Sequence, residues 1–287
     1  MPTIFCQPVN NLGNRLISII GWYRLSRILG YDFVLVWPTA PDLGCFVSCY
    51  SELFEAPFSI VREMPNGTVQ IPKITTINAR NYVTFLESKS DIYVPNWYHF
   101  VYAIEEQNKS SGELTSSLRS YALQLLRPSA KVLDFGAQIG YYGESFDISL
   151  HWRGSAWLYN NWTAGSIASL ESIASFARTL HQQKGGRSCF ISSGTMIDGV
   201  ELAHMLKSQF DNQIFLSRSQ SHEPSFVNHA IAVLDFMNLT RSKDIVNSGV
   251  TTFSALAALV GMAILHTPVD EQRVYSRVPL VGTGLGI

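Results

Sequence analysis

The clearest pattern of apolar and polar positions lies between Phe146 and Thr267. Short apolar runs alternate there with longer segments whose apolar residues recur at helical spacing. We predict strands at 146–152, 187–193, 213–217, 244–247 and 262–266, and helices at 166–180, 199–210, 225–239 and 252–260. Because parallel strands need crossover connections, which helices supply, this alternation predicts a doubly wound parallel α/β unit.

The first half of the chain has one comparably clear pattern. Ile4–Pro8 and Phe33–Trp37 have the composition of strands, and the apolar segment Arg15–Leu29 between them predicts a helix that Gly30 stops. The following residues are rich in Pro, Gly and Asn. We expect further strands near 75–78 and 92–94, an exposed loop at 109–112 and a helix at 114–126.

Length and composition are typical of two globular domains. Of the 287 residues, 46% are hydrophobic and 15% are charged, which allows substantial cores and excludes global disorder. The formal net charge of −1 argues against a nucleic-acid partner, because such proteins usually carry a basic face. We predict Rossmann-like domains over residues 1–140 and 141–287, facing a central cleft, with the boundary between Pro128 and Asp147.

No segment has the pattern of a membrane anchor or a secretory signal. The apolar runs Leu16–Ile20 and Ala255–Leu265 are too short or too interrupted by glycine, since a span needs about 20 apolar residues. We therefore expect a cytoplasmic protein with reduced thiols, although Cys45 and Cys49 are close enough in sequence for a disulfide. The pattern gives no oligomeric state.

Two candidate ligand-binding turns follow predicted strands. The turn Asn10–Arg15 precedes a helix, whose unpaired N–H groups attract anions, and Gly13 lets the backbone approach a ligand closely. Taken alone, this motif is explained more simply by an ordinary strand–helix turn with Asn as its cap. The segment Leu150–Gly154 ends a predicted strand, where ligands bind in open α/β sheets, and Arg153 suits a pyrophosphate. An inter-domain salt bridge, with His151 as a packed side chain, is the alternative.

Two further features lie late in the chain. The segment Asn247–Ser254 has hydroxyls and N–H groups at a helix start, which suit phosphate oxygens, but capping by Thr251 or Thr252 alone explains part of it. Asp235 lies in an apolar helix and needs a partner. The Watson–Crick edge of guanine offers two donors to one carboxylate; a solvated helix face or an arginine pair is the alternative.

Several motifs are absent from the sequence. There is no Asp-x-Asp, no His/Cys cluster with metal spacing, no Gly-x-Gly-x-x-Gly and no Walker lysine loop. These absences disfavour a dinucleotide oxidoreductase and a P-loop NTPase, and we expect neither a metal nor a cofactor.

Taken in order, the pieces resemble GDP-fucose-dependent fucosyltransferases of the GT-B fold, especially the α-1,6-fucosyltransferases and the protein O-fucosyltransferases. The resemblance rests on Asn11-Leu12-Gly13-Asn14-Arg15, His151-Trp152-Arg153, Ala232–Thr240, Asp244-Ile245-Val246 and Thr251-Thr252-Phe253-Ser254. It is weak over residues 40–145, where acceptor specificity would lie.

The resemblance implies roles for these residues. Arg153 would hold the donor β-phosphate, His151 would help to form the guanosine pocket, and Asp235 would read guanine. Asn14, with Gly13 beside it, would lie on the sugar or pyrophosphate side. The remaining donor-binding candidates are Thr251, Thr252, Phe253 and Ser254.

The chain departs from the family's pattern after Arg153. The residues Gly154-Ser155-Ala156-Trp157 carry no second charge, so Arg15 or Arg218 would have to supply it. The length of 287 residues is also short for this group. An inverting transfer needs a general base, and Glu52, Glu55 and Asp42 are candidates only by location.

We therefore expect a metal-independent glycosyltransferase that uses a GDP-sugar, most simply GDP-fucose, with a glycan or other hydroxyl acceptor. One alternative is a GDP-fucose pyranose–furanose mutase, which needs no acceptor and no separate acceptor site. A second alternative is a non-catalytic GDP-sugar-binding protein.

Overall fold

The computed structural model describes residues 1–8, 12–39, 48–64, 69–70, 91–95, 111–141, 143–152, 168–210, 213–218, 225–249 and 251–268. The described residues form two compact units. The first consists mainly of those within Met1–Lys131, and the second of those within Val132–Glu223 and Val227–Val278.

The first unit contains a parallel sheet. Its strands are β1 (Thr3–Gln7), β2 (Asp32–Val36), β3 (Ser59–Val61), β4 (Val69–Gln70) and β5 (Ile92–Pro95), in the order β3-β2-β1-β5-β4. Its helices are α1 (Leu12–Leu29), α2 (Tyr50–Leu53) and α3 (Ser111–Leu125), and α4 (Ala130–Gln138) continues into the second unit. Helix α1 is apolar around most of its circumference and is therefore buried along most of its length.

Some expectations for the first half were wrong. The predicted loop at 109–112 is contradicted at Ser111 and Gly112, which begin α3. Helix α2 was missed because it has only four residues; the carboxylate of Glu52 accepts from the Cys49 N–H (2.9 Å) and so closes a capping box around its start. The strand expected near 75–78 lies outside the described residues.

The second unit has the predicted alternation. Its strands are β6 (Phe146–Trp152), β7 (Cys189–Ser193), β8 (Ile214–Leu216), β9 (Ser242–Asn247) and β10 (Ile264–His266). Its helices after α4 are α5 (Leu170–Lys184), α6 (Met196–Phe210), α7 (Phe226–Thr240) and α8 (Thr252–Gly261). All neighbouring strands pair in parallel in the order β10-β9-β6-β7-β8, so the winding reverses between β6 and β9.

The two faces of this sheet differ in chemistry. Ile148, Leu150 and Trp152 on β6 pack into the apolar cluster formed with α5 and α6. Because side chains alternate along a strand, Ser149 and His151 point to the opposite face. Ser149 is hydrogen-bonded to Ser242 there, and polar groups therefore gather on the face opposite α5 and α6.

Helix α8 packs closely against the end of α7. A Cβ at Gly261 would lie 2.0 Å from the carbonyl oxygen of Thr240, so only glycine allows this approach. Thr251 caps the other end of α8, where its Oγ1 accepts from the Ser254 N–H (3.3 Å). Both ends of α8 are thus fixed.

No helix among the described residues has the length and apolarity needed to cross a membrane. Cys6, Cys49 and Cys189 are free cysteines, and Cys45 lies outside the described residues.

Candidate functional site

The candidate site is built where β6 and β9 end beside each other. His151 and Asn247 are paired across these two parallel strands, and the Ser248 N–H donates to the carbonyl of His151 (3.1 Å). Helix α8 begins only a few residues later, after Thr251. In open α/β sheets this carboxyl edge, at the point where the winding reverses, is where ligands bind.

A chain of buried polar groups joins the three elements. Thr251 Oγ1 lies 3.2 Å from His151 Nδ1 and 2.5 Å from Ser254 Oγ. Asn247 Nδ2 donates to Ser254 Oγ (3.1 Å), and Asn247 Oδ1 accepts from Thr267 (2.8 Å). The hydroxyls of Thr251 and Ser254 therefore bond within the protein. The first turn of α8 begins with Thr252 and Phe253, and the N–H groups at a helix start suit an anion.

Aromatic rings form one side of this edge. The rings of His151 and Phe253 lie 5.2 Å apart at 36°, and Phe236 meets Phe253 edge to face at 5.5 Å. His151 is 8% exposed. The structure thus brings together the predicted residues His151, Thr251, Phe253 and Ser254, with Thr252 between them in sequence.

Asp235 lies in a second buried polar cluster on the same face. Its carboxylate accepts from the hydroxyl of Tyr141 and from that of Ser192 (2.8 Å). Ser192 on β7 is paired with His151 on β6, so this cluster adjoins the candidate site. With a further hydrogen bond from Ser217, Asp235 accepts three, and a carboxylate with about four acceptor positions is not saturated by them.

Burial shifts the acid–base properties of this cluster. Desolvation raises the pKa of Asp235 to about 6, although the hydrogen bonds from Tyr141, Ser217 and Ser192 partly oppose the rise. Burial, and then the negative charge of Asp235, raises the pKa of Tyr141, so the phenol stays a donor. The guanidinium of exposed Arg218 lies 5.8 Å from the centre of the Tyr141 ring, at the edge of the same cluster.

Three predicted residues lie in the first unit, in the first turn of α1. Arg15 is 1% exposed, and its guanidinium lies 4.7 Å from the centre of the Trp37 ring. Arg15 therefore packs against Trp37, and its role as a phosphate ligand stays a prediction. Gly13 is buried and Asn14 is half-buried.

Other sequence-based candidates divide into two groups. Arg153 and Asp42 lie outside the described residues. Glu52 accepts from the Lys131 ammonium (2.6 Å) and caps α2, which explains this residue structurally; Glu55 is exposed. Within the described part of the chain, no three His, Cys, Asp or Glu side chains converge as metal ligands do.

Ser192 and Tyr141, which bind Asp235, were not predicted as site residues. Ser192 had a signal, because aligning the apolar strands 146–152 and 187–193 places it beside His151 at the carboxyl edge. Tyr141 had none, because it precedes β6 in a connecting segment and reaches Asp235 across 94 residues of sequence.

Comparisons with solved structures give a common fold. The chain is similar to NodZ α-1,6-fucosyltransferase soaked with GDP-fucose, with a TM-score of 0.61 and 10% identity over 96% of this chain and 99% of that chain. The fold is that of GDP-fucose-dependent fucosyltransferases. Arabidopsis thaliana FUT1 in complex with GDP has a TM-score of 0.58 and 11% identity, over 93% of this chain and 70% of that chain. POFUT1 in complex with GDP-fucose has a TM-score of 0.51 and 12% identity, over 91% of this chain and 95% of that chain.

These matches confirm the predicted GT-B-like α/β fold class, and identities of 10–12% relate the folds alone. No protein-family model matches the chain, and no curated protein matches it either.

The pKa of Asp235 generates a stability prediction. In the folded state the pKa rises from 3.8 to about 6, so folding favours the protonated acid and this contribution is lost as the pH rises through 6. Lowering the pH from about 7 to about 5 should stabilise the wild type by about 1 kcal/mol relative to Asp235→Asn, which does not titrate. Urea unfolding of both proteins at both pH values measures this change in the free energy of unfolding. If the difference between wild type and Asp235→Asn is the same at pH 7 and pH 5, the raised pKa of Asp235 is contradicted.

Proposed function

We propose that the protein is a glycosyltransferase that takes its sugar from a GDP-sugar, with GDP-fucose as the donor and a glycan or other hydroxyl as the acceptor. The observation that carries the proposal is the meeting of β6, β9 and the start of α8 at the carboxyl edge of the second sheet. The fold supports it, because the similar NodZ structure comes from a crystal soaked with GDP-fucose and the similar POFUT1 structure is a complex with GDP-fucose.

The proposed chemistry is stabilisation of a leaving nucleotide. When GDP leaves the anomeric carbon, negative charge develops on the β-phosphate, and fixed donors aimed at that charge lower the barrier. The start of α8 supplies N–H groups and the positive end of a helix dipole. We assign Arg153, which follows β6 directly in sequence, as the second donor, and we keep Asn14 as the sugar-side contact.

His151 and Phe253 form a second part of the proposed donor site. Their rings lie close together beside the start of α8, so one edge of the sheet combines an aromatic surface with hydrogen-bonding groups. Nucleotide sites commonly combine such an apolar wall with a few placed polar groups. Arg218 lies beside Tyr141, the hydrogen-bond donor to Asp235, so its guanidinium adds positive charge to this cluster.

The proposed base-recognition residue is Asp235. Its carboxylate keeps acceptor capacity beyond Tyr141 and Ser192, and guanine alone among the common bases offers adjacent N1–H and N2–H donors. Reading guanine requires the base to reach a residue that is 5% exposed, so we expect Ser192 or Tyr141 to yield part of its contact.

The guanine assignment is tested by base preference. Asp235→Asn replaces one acceptor oxygen by a donor, so GDP should bind about 100-fold more weakly while UDP and ADP change little. Calorimetric titration with the three nucleotides measures the preference. Asp198→Asn is the control, because Asp198 accepts from Trp152 Nε1 (3.0 Å) on the other face of the sheet. An unchanged preference in Asp235→Asn would reject the assignment.

The reaction itself is tested with GDP-fucose as substrate. We expect the donor to remain intact without an acceptor, apart from slow hydrolysis, and to release GDP when a glycan acceptor is added, with product NMR identifying the glycoside. Arg153→Ala should lower turnover by about 100-fold or more with its circular dichroism unchanged, because a fixed donor to the leaving phosphate is lost.

Other outcomes contradict the transferase proposal. Formation of a furanosyl nucleotide from GDP-fucose alone identifies a mutase instead. Binding of GDP-fucose without turnover, across a panel of glycan acceptors, identifies a binding protein. The short length of the chain gives little support to a mutase, because the similarity extends over 99% of the NodZ chain.

A further inference from the structure

The buried polar chain at the candidate site has a direction. It runs from Thr267 through Asn247, Ser254 and Thr251 to His151, with distances between 2.5 and 3.2 Å. All five residues are at most 8% exposed. Each hydroxyl has only one proton to donate, so the orientation of one member restricts the next.

The orientation begins at the amide of Asn247. Its Oδ1 faces Thr267 and accepts the threonine proton, while its Nδ2 donates to Ser254 Oγ. Ser254 Oγ accepts there, so its own proton can go to the Thr251 carbonyl oxygen at 3.4 Å or to Thr251 Oγ1 at 2.5 Å. We take Thr251 Oγ1 as its acceptor, because this oxygen is much closer.

The hydrogen bond between Thr251 and His151 determines which ring nitrogen of His151 carries the proton. Thr251 Oγ1 accepts from the Ser254 N–H (3.3 Å) and from the Ser254 hydroxyl, so its own proton is directed to His151 Nδ1. A ring nitrogen that accepts a hydrogen bond carries no proton itself. In a neutral imidazole the single N–H is then on the other nitrogen.

We propose that Asn247 is a positioning residue that sets the tautomer of His151, so that the neutral ring carries its proton on Nε2. His151 then offers a donor and no acceptor at Nε2. The ligand group that it recognises must be an acceptor, such as a phosphate or carbonyl oxygen of a nucleotide. The nucleotide part of this inference rests on the proposed function, and the tautomer part does not.

The reverse order gives an opposite and measurable state. If the amide of Asn247 were turned, Ser254 would donate to its oxygen, Thr251 would donate to Ser254, and His151 would donate from Nδ1. The substitution Asn247→Asp imposes this reverse order, because an ionised carboxylate only accepts and so draws the protons of both Ser254 and Thr267 toward itself.

The test is NMR of isotope-labelled histidine in the intact protein at about pH 8, above the usual imidazole pKa of about 6.5. We expect His151 to show a protonated Nε2 and an unprotonated Nδ1, and Asn247→Asp to exchange these two shifts. Ser149→Ala is the matched control. Ser149 is also buried on the same face of β6, but its hydroxyl is hydrogen-bonded to Ser242, which is not part of the polar chain from Thr267 to His151. This substitution should leave the tautomer unchanged.

A protonated Nδ1 in the wild type would overturn the inference, and so would an Asn247→Asp protein that keeps the wild-type shifts. If Asn247→Asp does not fold, Ser254→Ala decides, because it breaks the chain without a buried charge. Averaged shifts of the two His151 nitrogens support the inference in that case, and unchanged shifts overturn it.

Titration with GDP tests the nucleotide part of the proposal separately from the tautomer part. GDP should move the Nε2 resonance of His151, and Asn247→Asp should bind GDP about tenfold more weakly, as for one lost hydrogen bond. If the wild type has the expected tautomer but GDP leaves His151 unaffected, the nucleotide assignment fails and the tautomer inference stands.

Discussion

The hydrogen bonds that join β6, β9 and α8 are the constraint on which the candidate site depends. Polar groups that are buried must find partners, because leaving one unsatisfied costs about 1–3 kcal/mol. Asn247, Ser254 and Thr251 satisfy one another and so hold two strand ends and a helix start together. The N–H groups at the start of α8 consequently point into a fixed place at the carboxyl edge.

The architecture around this edge explains why polar residues are tolerated there. The opposite face of the sheet carries the apolar cluster of Ile148, Leu150 and Trp152 with α5 and α6, which supplies hydrophobic stabilisation. The close approach of Gly261 to Thr240 and the cap at Thr251 hold α8 at both ends. The apolar helices α7 and α8 are buried as well, so His151, Ser192 and Asp235 are polar groups set among apolar neighbours.

The sequence predicted the second unit well because its strands are short apolar runs separated by helices of normal length. The ends of β6 agreed completely, and the segment from Asn247 to Ser254 was recognised as a strand–helix junction. The first unit was harder, since a four-residue helix such as α2 has too few residues for a periodic pattern. For the same reason the three-residue strand β3 went unnoticed.

Side-chain roles were less predictable than elements. A capping threonine and a phosphate ligand require the same residue type, so the sequence left both interpretations of Thr251 open, and the structure shows a cap that also contacts His151. Arg15 is buried against Trp37, a packing contact that the sequence did not indicate, and its role as an anion ligand stays a prediction. Contacts between residues far apart in sequence, such as Tyr141 with Asp235, depend on tertiary structure that no local pattern encodes.

The central claim is that a guanosine nucleotide binds at the carboxyl edge formed by β6, β9 and α8. Hydrogen–deuterium exchange with and without GDP measures this most directly, because exchange reports the protection of individual segments. The account predicts slower exchange in residues 149–152 and 248–256 when GDP is bound. Unchanged exchange in both segments under saturating GDP, or protection confined to the first unit, would contradict it.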